Sequence, residues 1–192
     1  MTPPEPTTDH RPAAREVRCL ITSDKIAARV RELARQISAD YAGKKPLLVG
    51  VLKGAWIFMA DLIRQLTVPV RCDFVKLSSY GTGTSTSGEV TVHLDMTIPA
   101  EGQDILLVED IIDTGTTVPW LLERLAKQNP ASVRLCALLD KPARRRVPVQ
   151  IDYLGFTIPN QFVVGYGIDC AEEYRELPYV GYIPTPEQDD GG

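Results

Sequence analysis

The chain has 192 residues, 25 acidic against 21 basic side chains, a formal net charge of -4 and four cysteines. That length can bury roughly 70% of the unfolded surface in one domain without covalent staples, and no basic stripe is dense enough to track a nucleic-acid backbone. Cys19, Cys72, Cys136 and Cys170 form no C-x-x-C pair, which argues for reduced, half-buried thiols; no run reaches the roughly 18 apolar residues of a membrane span, so a cytoplasmic protein without nucleic-acid or membrane partners is expected.

Residues 1–16 and 185–192 hold too little apolar surface to offset the entropy of ordering, and read as flexible tails around one domain at 17–184. From Thr22 or Ser23 as N-cap, Ile26, Val30, Leu33, Ala34 and Ile37 recur at helical spacing, and Gly43 stands where the helix should stop. Pro46 to Leu52 reads as a buried strand, Ala55 to Leu66 as a helix with its apolar stripe at Ile57, Ala60 and Ile63, and Arg71 to Leu77 as another strand. Residues 78–88 are Ser, Thr and Gly except for Tyr80; such a segment cannot pack itself and is expected to be mobile. A strand at 105–109, a helix from about Thr116 to Gln128 with Pro119 in its first turn, and a strand from Val133 to Leu139 continue the alternation. Strand and helix in this rhythm predict an α/β fold with a parallel sheet and right-handed crossovers.

Residues 105–117 carry the most chemistry. An uncharged apolar strand of this kind belongs inside a parallel sheet, where both faces are covered. Glu109, Asp110 and Asp113 follow at its carboxyl end, the edge at which ligands bind in open α/β sheets. The turn Asp113-Thr114-Gly115-Thr116-Thr117 offers backbone N–H groups and hydroxyls at a helix N-terminus, which suits a phosphate. Carboxylates beside a phosphate need other company, and sugar hydroxyls with a divalent cation would supply it.

The stretch Val108-Glu109-Asp110-Ile111-Ile112-Asp113-Thr114-Gly115-Thr116-Thr117 resembles the phosphoribosyl-diphosphate motif of the phosphoribosyltransferases, in their hypoxanthine-guanine branch. The third acid selects within the family, since adenine enzymes resemble this motif with alanine at the place of Asp113 and the pyrimidine regulators have tyrosine there. The resemblance runs from about Val17 to Ile183. It implies an open, mainly parallel sheet flanked by helices, with a small hood built from the chain ends. It also implies Mg2+-dependent transfer of the 5-phosphoribosyl group from phosphoribosyl diphosphate to hypoxanthine or guanine, giving IMP or GMP and pyrophosphate, in a homodimer or homotetramer. A xanthine-preferring enzyme, or a non-catalytic nucleotide-sensing regulator of the same fold, is the alternative.

Individual residues acquire roles by the same resemblance. Glu109 and Asp110 would bind the ribose hydroxyls and the metal, and Thr114, Gly115, Thr116 and Thr117 the 5'-phosphate. Val51-Leu52-Lys53-Gly54 is similar to the family's pyrophosphate loop, in which the peptide before the lysine is typically cis; from the residues alone, Lys53 reads first as a lysine snorkelling out of a core segment. Ser79-Tyr80-Gly81 resembles the family's mobile lid, and Arg175 would meet pyrophosphate. Lys141 would donate to the purine O6, although by itself it reads as a surface turn lysine. Phe162 would stack on the base, the Val163 backbone would read its edge, and Asp169 would help hold magnesium; without context, Phe162 and Tyr166 read as core aromatics. Asp113 is the candidate for proton transfer at purine N7, and its position suits a helix N-cap as well. Two positions depart from relatives: Cys170, where tyrosine is common, and Thr116, where residues including lysine occur. Arg144-Arg145-Arg146 reads as a solvated loop, and His10 and His93 have no catalytic partner nearby in sequence.

Overall fold

The computed structural model describes residues 16–79 and 90–184. The tails expected at 1–16 and 185–192 lie, apart from Glu16, outside the described residues, as does most of segment 78–88 with Tyr80. In chain order the elements are β1 (Arg18–Ile21), α1 (Ser23–Asp40), β2 (Leu47–Leu52), α2 (Trp56–Gln65), β3 (Arg71–Ser79), β4 (Val90–Leu94), β5 (Asp104–Ile112), α3 (Thr117–Ala126), β6 (Ser132–Asp140), a 3-10 turn (Pro142–Arg144), β7 (Tyr153–Thr157), β8 (Phe162–Val164) and β9 (Val180–Ile183).

Six strands form the main sheet in the order β4-β3-β2-β5-β6-β7, parallel throughout except for the antiparallel edge strand β4. A separate antiparallel sheet, β1-β9-β8, joins the two ends of the domain into the expected hood. Alternate residues of the central strands point to opposite faces. Leu48 and Leu106 pack with α1 and α2, while Leu47, Val49, Ile105 and Leu107 pack with α3. With helices on both faces, β2 and β5 read as near-continuous apolar runs.

Helix α1 follows its sequence closely. Thr22 caps it, its hydroxyl accepting from the Lys25 N–H at 3.4 Å, and Ile26, Val30, Leu33, Ala34 and Ile37 are all buried. Burial of each large aliphatic side chain of this kind contributes about 1.5–3 kcal/mol. Gly43 has φ of +77°, a conformation that a residue without Cβ adopts freely after a helix.

Helix α2 departs from its predicted stripe. Phe58, Met59 and Leu62 are its buried residues, and Ile57 and Ile63 sit only at the margin of the core. The reason lies on β2: Gly50 has no side chain, and a Cβ there would meet Met59 Sδ, so Met59 and Phe74 fill the notch and set the helix rotation. The thiols also differ from expectation. None of the four forms a disulfide, but Cys19 and Cys72 are exposed and Cys136 is buried, leaving Cys170 alone half-buried. Among the described residues no helix is long and apolar enough to cross a membrane.

The site is positioned by an asymmetry in β5. This strand extends to Ile112, beyond the 105–109 expected from its apolar run, because it stays paired with β6 as far as Ile112 and Asp140. Its pairing with β2 ends at Gly50 and Val108. From Glu109 onward the two strands part; the chain leaves β2 through α2 toward β3 on one side, and leaves β5 through α3 toward β6 on the other. That is the strand-order reversal at which open α/β sheets leave a crevice.

Candidate active site

Three strand-to-helix or strand-to-loop turns meet at this crevice. After β2 the Leu52–Lys53 peptide is cis, and Lys53 is half-exposed. Gly54 follows directly, and a Cβ on it would overlap the Asp110 carboxylate. The β2–α2 turn and the acids of β5 are therefore in van der Waals contact, which only glycine permits.

Glu109 is buried at 8% exposure and its Oε2 has no hydrogen-bond partner. Burial, reinforced by the neighbouring Asp110 charge, holds its carboxyl well above the usual range. Asp110 is pushed up to about 6, chiefly by burial and in part by Asp169, against the donation from the Ile111 N–H and the attraction of Arg175. Two adjacent carboxylates, one buried and one half-buried, disfavour each other's ionisation unless a cation or hydroxyl donors arrive.

The loop after β5 is a cradle. Gly115 has φ of +78° and a Cβ there would press on the Val147 carbonyl and the Arg145 stem. Thr116 precedes α3 without capping it by its side chain, so the N–H groups of the first turn remain free to receive an anion. A cleft of about 100 Å³ is lined by Glu109 and residues 111–118. In its wall, Asp113 Oδ2 lies 3.2 Å from Lys141 Nζ and 3.3 Å from Arg144 Nη1, while Asp113 Oδ1 is buried without a partner. Asp113 is thus not the cap of α3.

Lys141 is not a surface lysine. It is 5% exposed, its N–H donates to the Ile112 carbonyl at 3.0 Å and its Nζ to the Gln161 carbonyl at 3.3 Å. The same lysine joins Asp113 to the segment before Phe162. Phe162 opens β8 with half its surface exposed, and Val163 beside it is buried, so an aromatic face stands open next to an anchored backbone. Tyr166 is core, and its hydroxyl donates to Asp61 Oδ2 at 2.6 Å, bracing this segment on α2.

Beyond it, Gly167 packs so close to the Gly54 carbonyl that a Cβ would collide. Arg175 donates to the Gly167 carbonyl at 2.8 Å and pairs with Asp169 Oδ1 at 2.8 Å. Lys53, Asp110, Asp169 and Arg175 therefore gather on one side of the crevice, and Asp113, Lys141 and Phe162 on the other. The three acids assigned to a metal do not form a cage of their own. Among the described residues, no three His, Cys, Asp or Glu side chains converge on one point. Of the pair Ser79 and Tyr80, Ser79 ends β3 and Tyr80 lies outside the described residues.

Within the arginine run, Arg145 is a correction. Arg145 is only 18% exposed; it donates to the carbonyls of Asp113 and Ile112, each at 3.1 Å, and pairs with Asp140. The Arg146 N–H donates to the Thr114 carbonyl at 2.8 Å, so the backbone here supports the cradle, while the Arg144 and Arg146 side chains are exposed as expected. The signal available in the sequence was the excess of acids at the strand ends, which needs nearby cations.

Over residues 20–171 the sequence matches the family of the phosphoribosyl transferase domain. It is 48% identical over 169 residues to the hypoxanthine phosphoribosyltransferase of Salmonella typhimurium, covering 87% of this chain and 95% of that protein. To the hypoxanthine-guanine phosphoribosyltransferase of Streptococcus pneumoniae it is 46% identical over 164 residues, with 85% and 91% covered. The bifunctional protein TilS/HprT of Listeria innocua is 49% identical over 164 residues, but the chain spans only 25% of its length. Among solved structures, a hypoxanthine-guanine phosphoribosyltransferase of Bacillus anthracis aligns with a TM-score of 0.84 at 42% identity, over 88% of this chain and 100% of that one. A family match over most of the chain, with the Salmonella and Streptococcus relatives covered almost end to end, means that the chain belongs to the phosphoribosyltransferase family, on its hypoxanthine-guanine branch.

Proposed function

We propose that the chain transfers the 5-phosphoribosyl group from phosphoribosyl diphosphate to hypoxanthine or guanine, releasing pyrophosphate and IMP or GMP, as a Mg2+-dependent enzyme of the cytoplasm acting as a homodimer or homotetramer. The observation that carries the reading is the pairing of buried Lys141 with Asp113, which lines the cleft, beside the open face of Phe162. An ammonium donor beside a carboxylate acceptor matches a 6-oxopurine, which presents an acceptor at O6 and a proton to be managed on the imidazole ring. A 6-aminopurine would set donor against donor and leave Lys141 buried without an acceptor on the base.

In this reading Phe162 stacks on the base and the Val163 backbone meets its edge. The N–H groups of residues 114–117 hold the 5'-phosphate, and Glu109 and Asp110 accept from the ribose hydroxyls, which relieves their mutual repulsion. Lys53 and Arg175 take the pyrophosphate. As N9 attacks the sugar carbon and pyrophosphate leaves, Asp113 shares the proton at N7. The donor set also fits a divalent cation: Glu109 Oε2 is buried and unpartnered, Asp110 and Asp169 add hard oxygens, and Mg2+ needs only one or two carboxylates because water and phosphate oxygens complete its shell. Bound there, the ion would neutralise charge developing on the leaving group. Most of the acceleration then comes from positioning and electrostatics.

The test is direct. The protein, phosphoribosyl diphosphate, Mg2+ and each of hypoxanthine, guanine and xanthine are mixed and nucleotide is followed by absorbance. IMP and GMP are expected. No nucleotide at any protein concentration would favour a non-catalytic regulator, and a faster rate on xanthine would reassign the base.

A further inference from the structure

Lys53 and Arg175 reach the crevice from different parts of the chain, one after β2 and one in the approach to β9, yet the same carboxylate engages both. Glu172 Oε2 lies 2.7 Å from Lys53 Nζ and 3.3 Å from Arg175 Nη2. Its side chain is 66% exposed, so solvent or a ligand can replace it. The backbone beneath is tightly held. Ala171 and Glu172 have φ of 52° and 69°, the Glu172 N–H donates to Asp169 Oδ2 at 2.9 Å, and Cys170 and Glu173 exchange N–H to carbonyl bonds of 3.1 Å. Left-handed backbone is uncommon for residues with a side chain, and two in succession make a tight corner. That corner carries the carboxylate to the one place where it bridges both cations.

We propose that Glu172 is a displaceable internal stand-in for the pyrophosphate. In the unliganded chain it keeps Lys53 and Arg175 together at the leaving-group position, and an arriving diphosphate takes its place on them. After reaction it competes for the same cations and helps the product leave. This rests on the assignment of Lys53 and Arg175 to pyrophosphate made above. Exchange is accessible in both directions, because an exposed ion pair is weak enough for a polyanion to displace, while the tethered carboxylate needs no diffusion to return. Glu172 is a positioning residue that sets affinity for one end of one substrate and leaves the base pocket alone.

The experiment measures pyrophosphate with Mg2+ binding to the full chain by titration calorimetry, with steady-state kinetics on phosphoribosyl diphosphate and hypoxanthine. Glu172→Gln keeps shape and loses charge. It is expected to tighten pyrophosphate by roughly threefold to tenfold, to lower KM for phosphoribosyl diphosphate in parallel, to leave KM for hypoxanthine unchanged, and to lower kcat as release slows. Glu172→Asp, which keeps the charge, should stay within about twofold of the wild type, and Glu172→Ala should follow Gln if the carboxylate rather than the corner matters. Adding Lys53→Met to Glu172→Gln should remove the gain. Gln and Ala variants that bind pyrophosphate no tighter than the wild type would overturn the proposal and make Glu172 a strut. A wild type that binds no pyrophosphate would instead sink the assignment of Lys53 and Arg175.

Discussion

At Asp113 one carboxylate has two unlike oxygens. Oδ2 is shared by Lys141 and Arg144, and Oδ1 is buried and unpartnered in a residue that lines the cleft. An unsatisfied buried acceptor is costly, so its persistence points to a partner that comes with the substrate. Asp113→Asn keeps the shape and removes the proton acceptor; kcat should fall about a hundredfold while KM for both substrates moves little. Equal losses in kcat and binding would show that the acid only shapes the pocket. Lys141 is the second residue whose environment is unlike its sequence context. With one charge-assisted bond to O6 removed, Lys141→Gln should weaken use of hypoxanthine and guanine by about tenfold or more. The ratio of rates on hypoxanthine and adenine measures this, and an unaltered ratio would put the lysine outside base recognition.

Between elements, carboxylates act as fasteners, and Asp73 of β3 is the clearest. Its Oδ2 accepts from the N–H groups of Thr97 and Ile98 at 2.7 and 2.8 Å and from the Thr97 hydroxyl at 3.1 Å, tying the β4–β5 connection to the sheet. Burial works against the charge, but these donors together hold the carboxyl below its usual range. A depressed value means stability that is present above the unfolded value and lost as pH falls through the folded one. Asp73→Ala should lower Tm at neutral pH by several degrees, about 1–2 kcal/mol, and the gap to the wild type should close below about pH 4. A gap independent of pH would assign the loss to packing instead. Elements set by local signals were legible in the sequence: the Thr22 cap, the five buried positions of α1 and the turn 113–117 all follow from neighbours in the chain. What escaped was non-local. The rotation of α2 depends on the missing side chain at Gly50, the length of β5 on its pairing with β6, and the burial of Arg145 on carbonyls more than 30 residues away. Lys141 and Phe162 were identified through family likeness, because nothing in their flanking residues distinguishes a buried lysine or an open aromatic face from the ordinary kind.

On the scale of the molecule, the crevice is a deliberate weakness in an otherwise well-packed sheet. The central strand β5 carries two adjacent acids near its end, buried Glu109 held well above the usual carboxyl range and half-buried Asp110 pushed up to about 6. Because the folded chain then binds more protons than the unfolded one, the Asp110 contribution makes unliganded stability fall as pH rises between about 4 and 6. On the proposed reading, ligand binding should reverse this, with sugar hydroxyls and a cation supplying what the acids lack. Glu109→Gln removes one charge and retains the shape. The unliganded variant should melt about 2–6 °C above the wild type, equivalent to roughly 1–2 kcal/mol for a chain of this size. The wild type should gain about 2.7 kcal/mol from phosphoribosyl diphosphate and Mg2+ at a hundred times Kd, and the variant much less. Thermal unfolding with and without ligand decides the matter. If Glu109→Gln melts below the wild type and still responds fully to ligand, the buried acid stabilises the sheet, and the crevice grips its sugar with something else.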